Sequence, residues 1–144
     1  MKKILIIICL IICIDMVLRM IPHENLSLNS QNVSEITISG SVGNITIVNT
    51  MAVKYLIKMI NNISLYDSDL DVLQSSPDNS IRIKTDDNNE VRIYSSGIYA
   101  LILETQIDNG RPSIISGELY RMRWFTIDYI WVVAKLMNIF VGSA

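Results

Sequence analysis

Hydrophobic positions along this chain fall into three regimes. They run unbroken from Ile4 to Ile14, they alternate with polar residues in several later stretches, and twice they recur at spacings of three and four. The first regime holds 17 apolar residues among the first 21, with Lys2 and Lys3 ahead of the run. A charged start followed by an 11-residue apolar core is the layout of an export signal. Read as a span from Ile4 to Ile21, its 18 residues would cover about 27 Å, close to a hydrocarbon core of about 30 Å. Asp15 and Arg19, four apart on one helix face, would then pair or snorkel to the interface. Signal peptidase needs small residues before its cut, yet the first glycine is Gly40 and the first alanine Ala52. Leu10-Ile11-Ile12-Cys13 is also a poor lipoprotein site. The expectation is an uncleaved single-pass anchor in the cell membrane, with Lys2 and Lys3 held inside and residues from 22 onward outside. Secretion after signal cleavage is the alternative.

Residues 22–34 are polar and rich in Asn and Ser, which reads as a linker. Glu35-Ile-Thr-Ile-Ser39 and Asn44-Ile-Thr-Ile-Val48 then alternate around Gly40 and Gly43, predicting a hairpin with Ile36, Ile38, Ile45 and Ile47 inward. Asn49 or Thr50 can cap a helix whose buried face is Val53, Leu56, Ile57, Ile60 and Ile63. Asn61-Asn62 ends it, and an acidic loop covers Asp67 to Asn79. Ile81-Arg-Ile-Lys84 and Val91-Arg-Ile-Tyr94 predict a second hairpin across Asp86 to Asn89. Ile98 to Leu103 reads as a central strand, and Asp108-Asn109-Gly110 as the next turn. Ser113 to Ser116 and Leu119 to Arg123 are short strand candidates, with Pro112 favouring an edge. Thr126 starts a last helix to about Phe140, with Ile127, Ile130, Trp131, Ala134, Met137 and Val141 on one stripe, read as an amphipathic cover rather than a second span. This order predicts an α+β fold: a mostly antiparallel sheet with helices on one face, in a domain of residues 35–144 behind a segment 1–21 and the linker 22–34.

Composition adds exclusions. Outside the first 21 residues the apolar fraction drops to about 45%, ordinary for one small domain. The same part carries 9 basic and 13 acidic side chains, a net charge of −4, which repels phosphate backbones and argues against a nucleic-acid partner. Cys9 and Cys13 both lie in the apolar run, so the domain has no disulfide framework and no cysteine zinc site.

Candidate chemistry is sparse. Asp67, Asp69, Asp71 and Asp78 are spaced as alternate ligands of a calcium loop, but Val72 stands where the sharp turn needs glycine, and Asp78 where the bidentate glutamate belongs. The run Asp86 to Glu90 is explained by turn chemistry. His23 is the single imidazole and sits in the linker, poorly placed to activate a serine. Glu35, Glu104 and Glu118 are the carboxylates a small hydrolase would have to bring together. Gly40-Ser-Val-Gly43 lacks the lysine of a phosphate loop. Tyr120, Arg121, Arg123, Trp124, Tyr129 and Trp131 have the composition of a protein contact surface. Asn25, Asn32, Asn44 and Asn62 begin glycosylation triplets of the kind that chance supplies in a chain with 12 asparagines.

The apolar N-terminus, the short linker, the Ile-Thr-Ile strands, the helix Val53-x-x-Leu56-Ile57-x-x-Ile60-Asn61-x-Ile63 and the pair Ile81-Arg-Ile and Val91-Arg-Ile-Tyr94 resemble small membrane-anchored extracytoplasmic proteins of low-GC Gram-positive bacteria. The likeness covers residues 35 to 140 and implies an accessory or binding domain; it carries over no catalytic, metal or cofactor residue. The expectation from the sequence is a non-catalytic module that contacts a protein or envelope ligand. A carboxylate-based envelope hydrolase and a calcium-stabilised adhesion or sensing module are the alternatives.

Overall fold

A computed structural model describes residues 2–21, 23–41, 43–70, 72–73, 75–122 and 126–141. In chain order the elements are α1 (Lys2–Met20), β1 (Glu24–Asn25), a 3-10 turn (Ser30–Asn32), β2 (Val33–Gly40), β3 (Gly43–Ile47), α2 (Thr50–Asn61) and β4 (Ser64–Asp67). They continue with β5 (Asn79–Thr85), β6 (Asn89–Ser96), β7 (Tyr99–Asp108), β8 (Arg111–Arg121) and α3 (Thr126–Val141). The fold is α+β, with one antiparallel sheet in the order β1-β4-β8-β7-β6-β5-β2-β3.

Two apolar ladders cross this sheet on the side where the helices pack. Ile47, Ile36, Ile83 and Val91 form one, and Ile45, Ile38, Ile81, Ile93 and Ile102 the other, each residue directly opposite the next. All nine are buried. β-branched side chains on neighbouring strands fill a pleated surface well, and the period of two commits alternate residues to the opposite face. α2 lays Ala52, Val53, Leu56, Ile57 and Ile60 on this surface. Asn49 caps it, its side-chain oxygen accepting from the Met51 and Ala52 amides at 3.0 and 3.2 Å. α3 covers β2, β3 and β5 with Ile127, Ile130 and Ala134 buried and Trp131 and Met137 partly so, as its stripe predicts. The side chains of Thr126 and Val141 lie outside the description.

The sheet is larger than the sequence pattern implies. β4, which the pattern did not predict, runs up to Asp67 at the start of the expected acidic loop, and the two short strands expected around Gly117-Glu118 are one strand, β8. β8 reaches this length by a bulge opposite Glu104 and Thr105, where the pairing skips Ile115. Gly117 lies opposite Leu103, whose Cδ2 would be 2.7 Å from an added Cβ, so a larger residue there would require the Leu103 side chain to move. Asn109 and Gly110, at φ of 50° and 76°, form the two-residue turn that joins β7 to β8.

The stretch expected as a free linker is folded onto the domain. β1 pairs with β4, Leu26 and Leu28 pack against the core, and the Asn61 side chain bonds both the amide and the carbonyl of Leu28 at 2.9 Å. Asparagine supplies a donor and an acceptor at once, so the end of α2 clamps the incoming chain without a regular element.

The N-terminal helix forms, but the expected membrane crossing is not supported. Among the described residues no helix is long and apolar enough to cross a membrane. Asp15 and Arg19 interrupt the apolar sequence of α1, and the unbroken run Ile4 to Ile14 is about 16 Å long, half a bilayer core. The expected Asp15–Arg19 pairing falls on a side chain outside the description, that of Arg19. Every described apolar side chain of α1 is exposed.

Two substitutions test this packing. Leu56→Ala, at a fully buried position, should lower unfolding free energy by about 2–5 kcal/mol. Asn61→Ala should cost about 1–2 kcal/mol. Chemical denaturation measures both, and limited proteolysis of the second should cut residues 23–32 first.

Candidate functional site

The same register that buries the isoleucines builds three polar rows on the other face. Asn44, Ser39, Ser80 and Tyr94 lie across β3, β2, β5 and β6 in one row. Thr46, Thr37, Arg82 and Arg92 form the second. Glu35, Lys84 and Glu90 form the third, which continues to Thr105 on β7. The first two rows and Glu35 line an open groove of about 470 Å³.

Arg82 and Arg92 stand directly opposite each other on adjacent strands, an arrangement that like-charge repulsion disfavours. The third row offsets it. Glu90 is only 2% exposed and binds Arg92 Nε, with its other oxygen 3.9 Å from Arg82 Nε. Glu35 accepts from Arg82 Nη2 at 3.4 Å and from Thr37 at 3.3 Å, and lies 3.8 Å from Lys84 Nζ. Arg92 Nη1 donates to the Tyr94 hydroxyl at 3.3 Å. The Arg92 guanidinium is held above the ordinary arginine range, first by Tyr94 and then by Glu90. A buried carboxylate thus fixes one arginine and flanks the other, while the side chains of Arg82 and Arg92 stay 41% and 32% exposed. Counting Arg82, Lys84 and Arg92 against Glu35 and Glu90 leaves one positive charge on a domain of net −4.

Few of the residues singled out in the sequence meet here. Glu35 does, but Glu104 and Glu118 project from the opposite face of β7 and β8, so the three carboxylates of a hydrolase do not converge. Glu118 instead accepts a hydrogen bond from Tyr120, whose hydroxyl also lies 3.5 Å from Glu24. These contacts, chiefly the bond to Glu118, push the Tyr120 phenol above its ordinary value, and burial adds to the shift. His23 packs against Tyr66 at 5.7 Å between ring centroids, with Nδ1 3.1 Å from the Ile21 carbonyl oxygen.

Of the calcium-loop set, Asp67 ends β4, Asp78 faces the Gly97 amide at 3.4 Å, and Asp71 lies outside the described residues. Among the described residues no group of three or more His, Cys, Asp or Glu is placed to hold a metal. Asp86 and Asp87 occupy the turn before β6, where Asn88 takes a positive φ of 59°.

The aromatic and arginine set is divided. Arg121 bonds the Asp67 carbonyl oxygen, while Trp131 sits beside Gly40 and Asn79, across the sheet, under the Lys135 ammonium at 4.9 Å. Arg123 and Trp124 lie outside the described residues. Tyr129 is exposed with Val132, Leu136 and Phe140 at spacings of three, four and four, so α3 is apolar on its outer side too.

Sequence reasoning missed the groove, although its signal was present. Period two in Ile81-Arg-Ile-Lys84 and Val91-Arg-Ile-Tyr94 puts Arg82, Lys84, Arg92 and Tyr94 on one face. What the pattern lacks is the neighbour: β2 joins β5 across 38 residues of intervening chain. No family model, curated protein or solved structure matches the chain.

Two outcomes are expected. Glu90→Gln should destabilise the fold by about 1–3 kcal/mol, discounted for the partly exposed arginines, and the loss should shrink in high salt as their repulsion is screened. In an alkaline titration followed by phenolate absorbance, Tyr120 should ionise above the ordinary phenol range, and Tyr120→Phe should remove that late phase. The folded state favours the neutral phenol, so its stabilising contribution is complete below pH 10 and is lost as pH rises beyond it.

Proposed function

We propose that this chain is a non-catalytic binding module, carried to a cell membrane by α1 and displayed on the far side to contact a protein or envelope ligand. The observation that carries the proposal is the exposure of α1. A helix with 11 consecutive apolar residues serves as a core helix, an interfacial segment or the core of an export signal. The first role is the one the geometry disfavours, since the described apolar side chains of α1 all face outward and the buried core of the domain contains none of them. Lys2 and Lys3 ahead of the run favour insertion with the N-terminal end retained inside. The groove on the open sheet face and the outward apolar stripe of α3 supply contact surfaces. Separation of Glu35 from Glu104 and Glu118 supports binding over carboxylate chemistry.

The test fuses a reporter active only outside the cytoplasm to the C-terminus and follows it through membrane fractionation. The expected result is an active reporter in the membrane fraction, and loss of that activity when residues 2–21 are deleted. A reporter inactive in the intact chain and unaffected by the deletion would overturn the proposal.

A further inference from the structure

The groove is more specific than a generic contact surface. Two guanidinium groups face each other across β5 and β6, each anchored through part of its donor set: Arg92 by Nε to Glu90 and by Nη1 to Tyr94, Arg82 by Nη2 to Glu35. Their hydrogen bonds to side chains leave Arg82 Nη1 and Arg92 Nη2 unengaged among the described residues, and the buried Arg82 Nε, 3.9 Å from Glu90, has no hydrogen-bond partner. Glu90, only 2% exposed, holds the pair from the adjoining row and does not line the groove. Side chains held this way are preorganised donors, and guanidinium N–H groups form charge-assisted hydrogen bonds to carboxylate and phosphate oxygens. Hydroxyl groups extend the site: Thr37 and Thr46 lie 3.3 Å apart at their oxygens, with Ser39 and Ser80 in the adjoining row.

We propose that this groove binds an anionic ligand, seating one carboxylate or phosphate group between Arg82 and Arg92 and its uncharged hydroxylated remainder over Thr37 and Thr46. The anion supplies the counter-charge that two carboxylates leave short by one, and it relieves the repulsion between the opposed arginines. A volume of about 470 Å³ admits a ligand of one or two sugar rings in size. This inference rests on the binding-module reading and narrows its ligand.

The experiment is calorimetric titration of the full chain in a polyoxyethylene detergent, which carries neither sugar nor charge. The probes are glucuronate, inorganic phosphate and glucose at low ionic strength. Glucuronate or phosphate should bind, with affinity falling at least about tenfold in Arg82→Gln and in Arg92→Gln, and falling steeply with added salt. Tighter binding of glucuronate points to a carboxylated sugar, and tighter binding of phosphate to a phosphorylated ligand. Thr46→Ala, on the exposed end of its row, should keep the melting temperature and weaken glucuronate alone. Equal binding of glucose and glucuronate would overturn the anion assignment and leave the module reading standing. Absence of binding by either anion to a chain that melts cooperatively would overturn it as well. Anion binding by a chain whose C-terminus proves cytoplasmic would keep the site and overturn the location.

Discussion

The open face of this protein is a by-product of how its isoleucines stack. Strand residues alternate between faces with a period of two, so a register that places Ile38, Ile81 and Ile93 in one ladder places Thr37, Arg82 and Arg92 in another on the reverse side. A slip of one residue would bury the arginines under α2 and α3 and turn the isoleucines to water. Loss of several buried isoleucines, at roughly 1.5–3 kcal/mol each, exceeds any charge term on the polar face. Hydrophobic burial therefore fixes the register, and the charges take the positions it leaves them.

Those positions are not electrostatically comfortable. Opposed arginines on adjacent strands repel, and the sheet answers with carboxylates on the next row instead of separating the charges. The answer is asymmetric. Glu90 is buried deeply enough that its attraction for Arg92 is little screened, whereas Glu35 is a quarter exposed and shares itself among Arg82, Lys84 and Thr37. One guanidinium thus has a buried carboxylate as its main partner and the other a partly exposed one.

α1 and α3 carry most of the exposed apolar surface of the helices. α1 is exposed around its circumference and contributes no described residue to the buried core, while α3 buries one side and shows Tyr129, Val132, Leu136 and Phe140 on the other. The domain closes its core with α2, half of α3 and the isoleucine ladders.

The sequence by itself determined the local elements. The first hairpin with its four inward isoleucines, the cap at Asn49, the buried face of α2, the second hairpin, the turn at Asn109-Gly110 and the stripe of α3 all follow from periodicity and turn chemistry, which act over a few residues. Tertiary structure decided what depends on distant partners. It folded residues 23–32 onto α2 through Asn61, recruited β4 into the sheet, and let β8 run as one strand through a bulge. It also inserted β5 between β2 and β6, and that adjacency alone brings Glu35 beside Arg82. Local pattern cannot specify strand order, because every alternating segment offers the same two faces and edges to any neighbour. The choice is made by the total apolar area that one arrangement buries, so the groove became visible only when the sheet was assembled.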